Sequence, residues 1–217
     1  MRTSSNQTAV NILSFLLLSI VAVSPACSGN ASRQSNNGLN NGGAITGTKI
    51  NSDFKEFLKK FQIMSLPLSI KTLEIVADSS KKLSQKDNLF IKSDYPNGIY
   101  AYSMLPDTEI NYKIIWLEPA EAEIPVLTIF TKDGKKVDQK ELGVGGCGSD
   151  CGFNCSESIT INKGLTIFSC DSIERTTCDT DGNPIKNTTK RYLRFKTGEI
   201  LRDGKIDMTR IQQRSIN

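Results

Sequence analysis

The residues best equipped to do chemistry in this chain are its cysteines. Six are present, in a sequence that contains no histidine. That excludes a Ser-His or Cys-His nucleophile pair, the usual general base near neutral pH, and the commonest zinc ligand. Setting Cys27 aside, the thiols are Cys147, Cys151, Cys155, Cys170 and Cys178. The first three recur at equal spacing in Gly145-Gly146-Cys147-Gly148-Ser149-Asp150-Cys151-Gly152-Phe153-Asn154-Cys155, where the glycines favour an irregular loop over a helix. In an exported protein the default fate of such thiols is a disulfide. The simplest pairings are Cys147 or Cys151 with Cys155 inside the loop, and Cys170 with Cys178 across a hairpin. An odd number leaves one thiol free, joined to another chain, or bound to a metal. A zinc site of three or four thiolates is the sharper alternative, but the spacers are not those of structural zinc knuckles. No metal and no cofactor is therefore expected.

Other chemistry-bearing groups are weaker signals. Glu118, Glu121 and Glu123 cluster after Trp116 and could supply the carboxylates of a hydrolase. Pro119 separates Glu118 from the others, and the group reads as a solvated loop. Asp179-Thr180-Asp181-Gly182-Asn183 alternates oxygen ligands as calcium loops do but lacks the closing glutamate, and reads as a hairpin turn. Tyr100 and Tyr102 share one face of a predicted strand, as do Tyr112, Ile114 and Trp116 in another. Such rings can stack on a sugar or belong to a core. Lys190, Arg191, Arg194 and Lys196 read as the wet face of a strand, with no nucleic-acid motif around them. There is no phosphate-binding glycine loop, dinucleotide fingerprint or G-x-S-x-G elbow, so no catalytic residue is assigned.

The amino-terminal segment sets the expected compartment. Arg2 lies in a polar start, followed by an apolar run from Ile12 to Val23. That run is shorter than the roughly 20 residues needed to span a bilayer, and fits a secretory signal over residues 1–26. Val23-Ser24-Pro25-Ala26-Cys27 resembles the lipobox of bacterial lipoprotein precursors. The resemblance implies cleavage before Cys27, a diacylglyceryl group on its thiol and an acyl chain such as palmitate on its amine. Two or three chains anchor stably, at ~0.8 kcal/mol per buried methylene. It further implies the cell envelope of a Gram-negative bacterium, on the periplasmic or outer side. Ordinary signal peptidase acting at the same bond would instead give a secreted protein. The Asn/Ser/Gly-rich stretch over 27–50 then serves as a tether spanning about 25–30 Å.

The elements that must position these groups fall in residues 51–217, expected to be a single β-rich domain. Asp53 and Glu56 have capping-box spacing, and Phe54, Phe57, Leu58 and Phe61 form one apolar helical stripe that Pro67 closes. Beyond it come β-branched and aromatic runs over 99–102, 112–117, 126–130, 159–161, 165–168 and 191–195. Turn signals separate them, including Pro96-Asn97-Gly98, Lys132-Asp133-Gly134-Lys135, Asn162-Lys163-Gly164, Thr197-Gly198 and Asp203-Gly204. The expected fold is mainly β: an antiparallel meander or sandwich-like sheet with one short N-terminal amphipathic helix. With 38% hydrophobic residues and a net charge of +4, the composition excludes a polytopic membrane protein, a collagen-like fibre or a wholly disordered chain. The function expected is a lipid-anchored envelope protein with a non-catalytic binding or scaffolding domain. A glycan-binding lipoprotein and a carboxylate-dependent hydrolase are the alternatives. Expected partners are a lipid bilayer, then a glycan or another envelope protein, and no nucleic acid.

Overall fold

The phenylalanine stripe forms a helix over 52–58 (α1), and Phe54, Phe57, Leu58 and Phe61 are all buried. The computed structural model describes residues 52–75, 78, 81–95 and 97–216; the signal segment, Cys27 and the tether lie outside the described residues. Asp53 sits within the first turn of α1, paired with Lys86 at 2.9 Å, and not at the cap its spacing suggested. A second helix, α2 (Gln85–Ile91), occupies a stretch for which the sequence pattern predicts none. Its cause is local. The Ser84 hydroxyl accepts the Asp87 N–H while the Asp87 carboxylate accepts the Ser84 N–H at 2.6 Å, a complete capping box. Asp87 also receives the Lys60 ammonium at 2.5 Å, which ties the two helices together. Burial alone would raise the Asp87 carboxyl, but Lys60 and the Ser84 hydrogen bonds outweigh it and hold the group below the usual carboxylate range.

Among the described residues there are ten strands: β1 (Leu68–Lys71), β2 (Tyr100–Met104), β3 (Asn111–Glu118), β4 (Ile124–Thr131), β5 (Lys136–Glu141), β6 (Phe153–Ile161), β7 (Thr166–Arg175), β8 (Lys190–Ile200), β9 (Ile206–Met208) and β10 (Gln212–Ile216). They make two antiparallel sheets. Strands β2 to β5 form a four-stranded meander in chain order; the second sheet runs β1-β6-β7-β8-β10, with β9 also paired to β8. The fold is thus mainly β and antiparallel, as the sequence pattern predicts, with the meander and the sandwich-like packing both present.

The sequence of β3 and β4 explains the layering. Both are nearly continuous apolar runs, the pattern of strands covered on both faces. Alternate residues divide the core. Ile114, Trp116, Val126 and Phe130 pack with the helices, while Ile115, Leu127 and Ile129 meet Leu68, Ile70, Ile159, Ile161 and Ile167 of the second sheet. The helix side is aromatic: Phe57 stacks on Phe90 at 5.0 Å, and Phe54 lies 5.3 Å from Phe130. One expected turn is overturned. Thr197-Gly198 does not reverse the chain; β8 runs through it to Ile200, with Gly198 paired to Met208 on one side and Ile167 on the other. Glycine is needed there because a Cβ would overlap the Met208 sulfur and the Asp207 carbonyl oxygen.

Truncating Phe57 to Ala should destabilise the domain by about 3–5 kcal/mol, as for other buried aromatic rings. Leu89→Ala on α2, where the side chain is 71% exposed, should change stability by no more than about 0.5 kcal/mol. Urea unfolding monitored by Trp116 fluorescence measures both.

Candidate functional site

The chain crosses from the first sheet to the second through residues 142–152, the glycine- and cysteine-rich segment. Its main chain lands on carboxylates of the second sheet. The Val144 N–H donates to Glu157 Oε1 at 2.6 Å and the Gly145 N–H to the same oxygen at 3.4 Å. The Gly146 N–H donates to Asp171 Oδ2 at 2.8 Å. A side chain at Gly146 would force Asp171 and Arg194 to move, since a Cβ there would lie 2.5 Å from both Asp171 Oδ2 and the Arg194 guanidinium.

Glu157 and Asp171 stand directly opposite each other on β6 and β7, and Arg194 of β8 stands opposite Asp171. These positions share the parity of Ile159, Ile161 and Ile167, so they belong to the inner face of the sheet. Asp171 is fully buried, and its Oδ1 has no hydrogen-bond partner among the described residues. Burial, reinforced by the Glu157 charge, pushes the Asp171 carboxyl up to about 6, against the pull of the Gly146 N–H and of Arg194. Asp171 can therefore hold and release a proton just below neutral pH. A glycosidase-like role would require a substrate between the two acids, and Asp171 is sealed under Gly146.

Two disulfides fix the crossover. Cys147 is bonded to Cys155, and Cys151 to Cys178. The first is one of the bridges predicted within the loop. The expected Cys170–Cys178 bridge is absent: Cys170 lies mid-strand, buried and free, in register with Phe195. Strand β7 carries the chain five residues past it, at roughly 3.3 Å each, before the hairpin bearing Cys178 begins. Burial and the Asp171 charge push the Cys170 thiol up. The sulfurs of Cys147 and Cys155 and an Asp171 oxygen lie within 4.8 Å of one another, yet sulfurs bonded to each other offer no thiolate to zinc.

Of the loop carboxylates, Glu118 stands apart from Glu121 and Glu123. Glu118 accepts the Ser93 hydroxyl at 2.8 Å and Glu121 the Ser149 hydroxyl at 2.5 Å. Glu121, Glu123, Glu141 and Glu157 line a cavity of about 220 Å³ beside the crossover. Burial pushes the Glu123 carboxyl up there. The Asp179–Asn183 segment is a turn, with Asp179 Oδ1 accepting the Asp181 and Asn183 N–H groups at 3.0 and 2.8 Å.

The predicted aromatic platforms divide. Trp116 is fully buried, its Nε1 donating to Thr128 Oγ1 at 2.9 Å. Tyr112 packs edge-on against Phe54 with Lys132 over its ring at 3.9 Å. Neither presents a free face to a ligand. Tyr100 and Tyr102 line a cavity of about 480 Å³ with Ser69, Lys71 and Lys81, between the edges of the two sheets. Two residues apart on β2, the two rings share a face by strand alternation. The basic residues of β8 also divide. Arg194 and Lys196 point inward, Lys196 donating to the Glu141 carbonyl at 3.0 Å, whereas Arg191 faces outward to Glu174. The expected common wet face is not formed, because alternation along a strand separates 191 from 190, 194 and 196.

Glu157 and Asp171 are the residues that motif searching missed. Their signal was parity: each is an acid at a position in step with buried isoleucines of its own strand, Ile159 and Ile161 on β6 and Ile167 and Ile173 on β7. No family model matches the chain, and no characterised protein or solved structure does so either.

Because the Asp171 carboxyl is raised in the folded state, its favourable contribution is complete below about pH 4 and disappears as pH rises through about 6. Stability should fall by about 2–3 kcal/mol over that interval, because each tenfold difference in proton affinity between the folded and unfolded chain is worth about 1.4 kcal/mol. Asp171→Asn, which mimics the protonated acid, should flatten the decline in urea titrations run across this range.

Proposed function

We propose that the chain is an exported, lipid-anchored envelope protein whose two-sheet domain is a binding or scaffolding module and not an enzyme. The observation that carries this reading is the pair of disulfides, the chemistry of an oxidising compartment. Four thiols pair among themselves and Cys170 is buried, so the domain asks nothing of Cys27. That cysteine is left for the thioether lipid that the lipobox resemblance implies. Against catalysis stand the separation of Glu118 from Glu121 and the sealed position of Asp171.

A second reading, glycan binding, keeps one favourable observation: Tyr100 and Tyr102 line the same cavity at the sheet edges. Its test is a glycan array, in which Tyr102→Ala should weaken the signal at least ten-fold.

Expressed in a Gram-negative host, the mature protein should begin at Cys27 and carry the mass of its acyl chains. Cys27→Ser should move it from the membrane to the soluble fraction. Mass spectrometry of the amino-terminal peptide reads the result, and an unmodified Cys27 thiol would sink the anchor.

A further inference from the structure

The far ends of β7 and β8 extend toward the hairpin that holds Cys178, and there the register does something unusual. Along the two strands, acids face bases: Asp171 opposite Arg194, and Glu174 opposite Arg191, the latter an ion pair at 2.7 Å. The last pair breaks the pattern. Arg175 stands directly opposite Lys190, and neither has an ion-pair partner among the described residues. Like charges directly opposite in a sheet repel, and an anion held between the two would relieve that repulsion.

The same two residues line a groove of about 970 Å³, with Thr176, Thr189, Tyr192 and Gln213 among its walls. The Cys151–Cys178 bridge forms part of its rim, and Asp150 is its one acid. Arg175, Lys190 and Tyr192 have the inner-face parity of Asp171 and Arg194. Hydroxyl and amide groups match the hydroxyls of a carbohydrate, one tyrosine ring offers a face, and two unpaired cations await a carboxylate. A single aromatic ring is too few for the stacked bases of a nucleic acid.

We propose that this groove binds an acidic oligosaccharide, with Arg175 and Lys190 together holding a uronate carboxylate and Tyr192 packing on the sugar. The inference rests on the binding-module reading above and not on its lipid anchor. It places the ligand away from the Tyr100 and Tyr102 cavity.

Calorimetric titration of the full chain with an oligogalacturonate, a neutral oligoglucoside of equal length and single-stranded DNA tests it. Only the oligogalacturonate should bind, with a dissociation constant of about 1 mM or tighter, weakening as salt rises. Arg175→Gln/Lys190→Gln and Tyr192→Ala should each weaken it at least ten-fold, and Leu89→Ala on the exposed side of α2 should leave it unchanged. The double variant should melt no lower than the parent, because a repulsion has been removed. Absence of binding, equal binding of the neutral sugar or of DNA, or a lower melting point of the double variant would overturn the proposal. Loss on Tyr102→Ala with the double variant unaffected would also overturn the groove while leaving glycan binding itself in place.

Discussion

Three consecutive backbone N–H groups, from Val144 to Gly146, dock the crossover between the two sheets onto the second sheet by donating to the carboxylates of Glu157 and Asp171. The crossover they belong to has few large apolar side chains, so packing alone cannot order it. Instead it is ordered by charge-assisted hydrogen bonds to Glu157 and Asp171 and by two disulfides, of which Cys147–Cys155 reaches the same inner face of β6. The cost is electrostatic. Asp171 is buried and faces a second carboxylate, Glu157, and with Arg194 only partly offsetting the two effects its carboxyl rises to about 6.

Much of the architecture was legible in the residues because hydrophobic alternation reports burial directly. The phenylalanine stripe of α1, the unbroken apolar runs of β3 and β4, and the alternation of β6 each went where their period required. What failed did so where one residue type serves two physical ends. Gly198 looked like a turn, but it is there to let β9 approach β8. Helix α2 is too short to show a period, and only its Ser84 and Asp87 cap marks it. Strand β10 is exposed at every residue, so burial leaves no trace in its sequence.

The site was less legible than the fold. Pairing of cysteines depends on where strands end, which spacing does not encode, so Cys178 found Cys151 and not Cys170. Aromatic residues on one strand face could be core or platform, and the layering decided: Trp116 and Tyr112 went to the helix side, Tyr100 and Tyr102 to a sheet edge. Charges on β8 acquired meaning only through register. Arg194 meets Asp171, Arg191 meets Glu174, and Lys190 meets Arg175.

The stapled crossover is tested most directly by mapping the disulfides of the unreduced protein, with free thiols alkylated before proteolysis and mass spectrometry. The structure requires one bridge between Cys147 and Cys155, another between Cys151 and Cys178, and an alkylated thiol at Cys170 once the chain is denatured. A bridge from Cys170 to Cys178, or alkylation of every one of these residues, would contradict it.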